Sequence, residues 1–223
     1  MSGEITGLQA QRNRRDRVSV FIDGRYVFSL QSILAAGLHH GQELTDRDIQ
    51  DLLQRDATET AYERALHYLS FRPRSEWEVR RYLQKKRGVD SGVIEDVLAR
   101  LRRVGLVNDG EFARYWVENR ESFRPRGRWA LRAELRQKGV SPEAIEASLA
   151  DLDEEASAMN AARRRARRLM RLDEGAFLRR LLGFLQRRGF DYGVSRKVAS
   201  SLWRELCVQR EAGPPQRVLP DDT

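Results

Sequence analysis

Arginine carries most of the chemistry this chain has to offer. Its guanidinium is a rigid fork of donors that grips phosphate or carboxylate bidentately. Two segments present it in the same setting. Residues 71–77 read Phe-Arg-Pro-Arg-Ser-Glu-Trp and residues 123–129 read Phe-Arg-Pro-Arg-Gly-Arg-Trp, identical at five of seven positions with an offset of 52. Proline disfavours helix at the preceding Arg72 and Arg124, so each segment breaks two helices and holds its arginines on a short, stiff corner. Two readings stand. In one, the corners grip a repeating or extended anionic partner through Arg72, Arg74, Arg124, Arg126 and Arg128, joined by the basic face Arg80, Arg81, Lys85 and Lys86. In the other, Phe71 and Phe123 anchor the corners, proline stops the helices, and the arginines are solvated. Trp77 and Trp129 are read as core, since an aromatic on a helical face is more often packing than a platform for bases.

A third basic run, Arg163 to Arg171, places six arginines in nine residues. Helical spacing spreads them round much of the circumference, which leaves their role ambiguous. Motifs for catalysis are missing. His39, His40 and His67 have no metal-ligand spacing with Cys or carboxylates, and there is no phosphate loop, dinucleotide fingerprint or nucleophile elbow. Cys207, beside Leu206, reads as a small packing residue. The chain is therefore expected to be no enzyme and to need no cofactor.

The corners belong to an internal repeat, which defines the fold. Val79, Leu83, Gly88, Ile94, Leu98 and Leu101 are answered by Leu131, Leu135, Gly139, Ile145, Leu149 and Leu152. A weaker third copy holds Leu181, Leu185, Gly189, Ala199 and Leu202, with Asp173-Glu174-Gly175 where the corner would stand. The apolar positions fall four apart on helix faces. Gly88, Gly139 and Gly189 sit where a left-handed helix end is wanted. Ser75 with Glu78 forms a capping box, and Ser141-Pro142-Glu143 opens another helix. A further helix precedes each corner, with Tyr62, Leu66 and Leu69 inward in the first copy, and Phe112 and Trp116 in the second, capped at Asp109.

The chain has 223 residues, 37 of them Arg and four Lys, with a formal net charge of +8. That balance favours a polyanion such as nucleic acid. One cysteine forbids an intrachain disulfide and suits a reducing cytosol. No apolar run is long enough to span a membrane and no signal core opens the chain, so a soluble, cytoplasmic protein is expected. Residues 1–16 read as a frayed polar start. Residues 17–30 form the one clear β signal, two β-branched and aromatic runs around Asp23-Gly24, a type I′ hairpin turn. Residues 31–44 read as an irregular link, followed by a short helix from Thr45 with Ile49, Leu52 and Leu53 inward. The expected divisions are 1–56 for the β-hairpin and short helix, 57–107, 108–153 and 154–207 for the three repeats, and 208–223 for a disordered tail.

Ala65-Leu66-His67-Tyr68-Leu69-Ser70 with Arg74-Ser75, and Gly105-Leu106-Val107-Asn108-Asp109-Gly110-Glu111-Phe112-Ala113 followed by Arg120, Gly127 and Leu135-Arg136-Gln137-Lys138-Gly139-Val140, resemble the signatures of the RecX regulatory proteins. The resemblance covers about residues 59–205. Asn108, where an acid is more usual, and the acidic start of the third copy depart from it. The resemblance implies a mainly α protein of three tandem three-helix repeats in an elongated, curved array behind an N-terminal β-hairpin. It also implies a non-catalytic modulator that lies in the groove of the RecA–single-stranded-DNA filament and restrains ATP hydrolysis and strand exchange. Such a protein would act in DNA repair, homologous recombination and the SOS response to DNA damage. The expected partners are the RecA filament and single-stranded DNA, with the chain itself a monomer.

The alternatives are a stand-alone DNA-binding protein using one helix of each unit in a major groove, a scaffold that dimerises through its hairpin, and a nuclease. The acidic helix after Glu143 counts against the first, and the lack of a spaced carboxylate cluster counts against the last.

Overall fold

A computed structural model of the chain describes residues 2–12, 14 and 16–211. They form two compact units, Met1–Asn108 and Asp109–Thr223. The first unit opens with strands β1 (Gly3–Ala10), β2 (Arg17–Ile22) and β3 (Arg25–Gln31), helix α1 (Ser32–Ala35) and strand β4 (Glu43–Leu44). The strands make one antiparallel sheet in the order β3-β2-β1-β4. The expected hairpin is β2–β3, and both turn residues, Asp23 (φ 49°) and Gly24 (φ 76°), are left-handed as a type I′ turn requires.

The frayed start expected for residues 1–16 is corrected: Gly3–Ala10 is an inner strand, with Ile5 fully buried opposite Ile22. Its two glycines and polar residues have low β propensity, so its stability comes from pairing on both sides. The turn is stitched to it, with the Asp23 N–H donating to the Glu4 carbonyl at 3.0 Å and the Gly24 N–H to Thr6 Oγ1 at 2.7 Å. The link 31–44 is likewise not wholly irregular, since it holds α1 and β4.

The short helix expected from Thr45 is in fact α2 (Asp46–Leu69), 24 residues long and opened by a Thr45–Asp48 capping box. It runs unbroken through the division expected at residues 56 and 57. Its first half buries Ile49 and Leu52 beneath the sheet with Val20, Phe28 and Leu30. Leu53, expected inward, is exposed. Its second half supplies Ala61 and Ala65 to the core of the first repeat, together with α3 (Glu76–Gln84) and α4 (Ser91–Arg103). At the changeover sits Asp56. One of its carboxylate oxygens takes the Gln31 N–H at 2.7 Å and the other takes Arg17 Nη2 at 2.8 Å.

The second unit repeats the three-helix plan twice. Helices α5 (Asp109–Phe123), α6 (Arg128–Gln137) and α7 (Pro142–Leu149) enclose Phe112, Leu131, Leu135, Ile145, Leu149 and Leu152. Helices α8 (Glu154–Leu169), α9 (Glu174–Arg187) and α10 (Tyr192–Glu211) enclose Phe177, Leu181, Leu185, Ala199 and Leu202. The apolar positions that define the repeat by sequence are thus the buried ones. Asp109 is the first residue of α5 rather than the residue before it. Helix α10 continues to Glu211, past the Val208 at which a tail is expected, and residues 212–223 lie outside the described residues.

The helix ends follow the sequence. Gly88, Gly139 and Gly189 have φ of 73°, 76° and 80°. After two of them the N–H of the next residue reaches back five places, Val140 to Leu135 and Phe190 to Leu185, closing Schellman turns. Ser75, Asp90, Ser141, Asp153 and Asp173 accept bonds from the backbone at the starts of α3, α4, α7, α8 and α9. In the third copy, the aspartate that replaces the corner is therefore a cap.

Candidate partner-binding surface

Phe71 and Phe123 do not anchor the corners, since they are 69% and 81% exposed. Trp77 and Trp129 are also corrected: they are 38% and 73% exposed and are not core. Both lie one residue into a short helix whose inward positions are already taken by Val79 and Leu83, or by Leu131 and Leu135. Each corner therefore sets two outward aromatics among its arginines, a combination typical of recognition surfaces.

At the first corner the cations divide into three groups. Arg72 is a brace: Nη2 and Nη1 reach the two Glu78 oxygens at 2.9 and 3.1 Å, and Nη1 also bonds the Pro73 carbonyl. Glu78 is the same residue that closes the capping box on Ser75. Arg80 is held by Glu76 and Glu95. Arg74, Arg81 and Lys86 lie over aromatic rings instead. Arg74 sits 4.1 Å above Tyr68, which stacks on Tyr82 at 4.1 Å, and Lys86 lies 4.5 Å from the Tyr82 ring. Arg81 lies 5.0 Å over Trp77. Lys85 is exposed and has no side-chain partner among the described residues.

The second corner is built differently. Arg128 closes the end of α7, with Nη1 and Nη2 donating to the Leu149 and Leu152 carbonyls at 2.7 and 2.6 Å. Arg126 is drawn toward Glu134, 3.6 Å away, which also accepts from Trp116 and Arg120. Arg124 projects outward, unpaired among the described residues. Arg188, at the end of α9, joins them: its Nη1 donates to the Pro125 carbonyl at 3.1 Å, and its own carbonyl accepts the Gly127 N–H at 3.0 Å. Burial, then the charges of Arg126 and Arg124, push the Arg188 guanidinium below the ordinary arginine value. Three cations from two repeats thus converge where Gly127 and Gly189 let the backbones touch. Sequence spacing missed Arg188, because only the fold brings it to residues some 63 positions away.

Beside this cluster lies a cleft of about 490 Å³ floored by Gly189 and Phe190, with exposed Trp129 and Tyr192 on its lining. Among the described residues no three His, Cys, Asp or Glu are placed to hold a metal ion, and no helix is long and apolar enough to cross a membrane.

The ion pairs carry a pH signature. Bonds from Arg80 and Arg132 hold the carboxyls of Glu95 and Glu146 below their ordinary value of 4.5. The Thr45 hydroxyl and the Ala176 N–H lower Asp48 and Asp173 in the same direction. A depressed folded-state value gives stability that is full above the unfolded value and lost as pH falls through the folded one. Thermal midpoints followed by circular dichroism should therefore be flat from about pH 7 to 5 and fall between about pH 4.5 and 3. Salt should blunt that fall, because these pairs are exposed.

Comparison with known proteins matches this architecture along its length. Residues 3–45 match the N-terminal domain of regulatory protein RecX, and residues 61–101, 108–149 and 153–199 match the first, second and third RecX three-helix domains. Regulatory protein RecX of Bacillus pumilus is 32% identical over 199 residues, 86% of this chain and 75% of that one. The Amycolatopsis mediterranei protein is 41% identical over 140 residues, 61% of this chain and 79% of its own. A crystal structure of regulatory protein RecX, 26% identical, superposes with a TM-score of 0.71 over 90% of this chain and 100% of that one. RecX from Lactobacillus salivarius, at 21% identity and a TM-score of 0.59, shares the fold over 69% of this chain and 99% of its own. With four consecutive domains matched in order, the chain belongs to the RecX family of regulatory proteins.

Proposed function

We propose that this protein is a non-enzymatic regulator that binds the RecA–single-stranded-DNA filament as a monomer and restrains the recombinase's ATP hydrolysis and strand exchange. Family membership supports the regulatory role. The observation that carries the partner class is the duplicated corner, in which exposed aromatics stand beside cations. A partner that repeats along its length offers equivalent sites to equivalent corners. The contact residues expected from sequence are refined by their surroundings. Arg72, Arg80, Arg126 and Arg128 are engaged in ion pairs or carbonyl bonds within the chain. Arg74, Arg81, Lys85, Lys86 and Arg124 are left to face a partner with Phe71, Phe123 and Trp129.

Aromatic and arginine anchors dominate interface energies, at about 2 kcal/mol or more each. The combined variant Phe123→Ser, Arg124→Gln, Trp129→Ser should therefore need at least tenfold more protein to inhibit RecA's DNA-dependent ATP hydrolysis, with its circular dichroism unchanged. Inhibition at the wild-type dose would remove the corner from the contact. The companion variant Arg72→Ala should mainly lower stability, because it unlocks Glu78 from the first corner.

A further inference from the structure

Most of the arginines near the corners have a carboxylate or a ring against them. Among the described residues, the run on α8 has neither. Arg163, Arg164, Arg165, Arg167 and Arg168 lie on the helix, Arg171 follows just past its end, and all six are exposed. None makes a side-chain hydrogen bond, ion pair or ring contact with another described residue. Ala158, Ala162, Ala166 and Leu169 turn the other side of α8 into the core of the third repeat. At 3.6 residues per turn, Arg163, Arg164, Arg167 and Arg168 therefore share an outward arc of about 140°. The spread round the circumference expected from sequence narrows to a single solvent face.

That face is self-repelling. Arg163–Arg167 and Arg164–Arg168 are like charges four apart, and Arg164–Arg167 three apart, each of which destabilises a helix. Only the dipole at the helix end offsets this. The acids on α8 are at its start and engaged elsewhere: Glu154 accepts from the Arg128 N–H and Glu155 from Lys197. Among the described residues no side chain supplies the counter-charge. Between Arg163 and Arg168 the arc carries no apolar side chain, so a protein partner would find no anchor there. A phosphodiester backbone needs none, because charge neutralisation and counterion release drive its binding.

We infer that the outward face of α8 is a nucleic-acid phosphate-binding surface, with Arg163, Arg164, Arg167 and Arg168 as its contacts. This deepens the reading above and rests on it only in taking a nucleic acid as the partner. The test uses the full chain and a labelled single-stranded oligothymidine, without RecA. Fluorescence anisotropy is followed across a salt series for the wild type and for Arg163→Gln, Arg164→Gln, Arg167→Gln, Arg168→Gln. Glutamine keeps helix propensity, and matching circular dichroism and urea midpoints confirm folding. Four lost contacts should flatten the slope of log affinity against log salt by roughly 2 to 3, and low-salt affinity should fall at least tenfold. Unchanged slope and affinity would overturn the proposal. So would a variant that binds DNA normally yet loses its effect on RecA, which would give the face to an acidic protein surface. Wild-type inhibition of RecA is measured in parallel, so failure of the filament reading and failure of this site give different patterns.

Discussion

Replacing Gly127 with Ser, the residue the first repeat carries at the same place, is expected to destabilise the second unit by about 3 kcal/mol or more. Local considerations predict the opposite. Gly127 precedes α6 with φ −74° and ψ 162°, which any residue adopts, and serine there would add a capping bond worth a few tenths of a kcal/mol over glycine. The clash decides. A Cβ on Gly127 would stand 2.0 Å from the Gly189 carbonyl oxygen and 2.3 Å from the Phe190 Cα. Both are backbone atoms that no rotamer change can move. The third repeat would have to part from the second corner, breaking the bonds from Gly127 and Arg188 that join them. Urea unfolding followed by tryptophan fluorescence reads this directly. No loss, or a gain of a few tenths of a kcal/mol from the new cap, would show that the two backbones are not in contact. Gly189→Ala should be at least as damaging, because it adds a left-handed φ of 80° to a contact 2.4 Å from the Ala130 Cβ.

The second large effect is expected at Asp56. Its carboxylate joins the sheet to α2 by accepting from Arg17 and from the Gln31 N–H, and the Arg17 and Asp56 side chains are each only 12% exposed. Asp56→Ala would leave a guanidinium with the Ser29 carbonyl, 2.6 Å away, as its principal acceptor, and would strand a backbone donor. Removing one member of a buried pair costs about 3–5 kcal/mol, against about 1 kcal/mol for a surface pair. The double variant Arg17→Met, Asp56→Leu should recover much of the loss, since no charge is then left unpaired. A loss below about 1 kcal/mol for Asp56→Ala would mean that apolar packing alone holds the sheet on the helix.

What the sequence disclosed follows from what is local or repeated. The repeat was legible because its core leucines, its glycine helix ends and its caps recur at fixed offsets, each demanded by backbone geometry. The hairpin was legible because Asp-Gly encodes its own turn. Strand β1 was not, since its pairing partners lie up to 41 residues away and its composition is that of a loop. The continuity of α2 was hidden by a change of core partway along: Ile49 and Leu52 face the sheet, whereas Ala61 and Ala65, flanked by half-buried Tyr62, Tyr68 and Leu69, face the repeat. The corners were found, but their roles were not. Whether an arginine is free depends on carboxylates elsewhere, such as Glu154 against Arg128 or Glu134 against Arg126, which spacing cannot show. The exposure of Phe123 and Trp129 was missed for a related reason: large apolar residues are usually buried, and only their neighbours reveal when the core is already full.

We propose that the protein recognises a RecA filament rather than DNA alone. The most direct measurement is RecA's DNA-dependent ATP hydrolysis with this protein titrated in below one copy per protomer, at low and moderate salt, beside its binding to naked single-stranded DNA. Filament recognition predicts strong inhibition at substoichiometric dose together with weak, salt-sensitive binding to the naked strand. Undiminished hydrolysis beside tight binding to naked DNA would contradict it, and would leave a RecX fold acting as a plain DNA-binding protein.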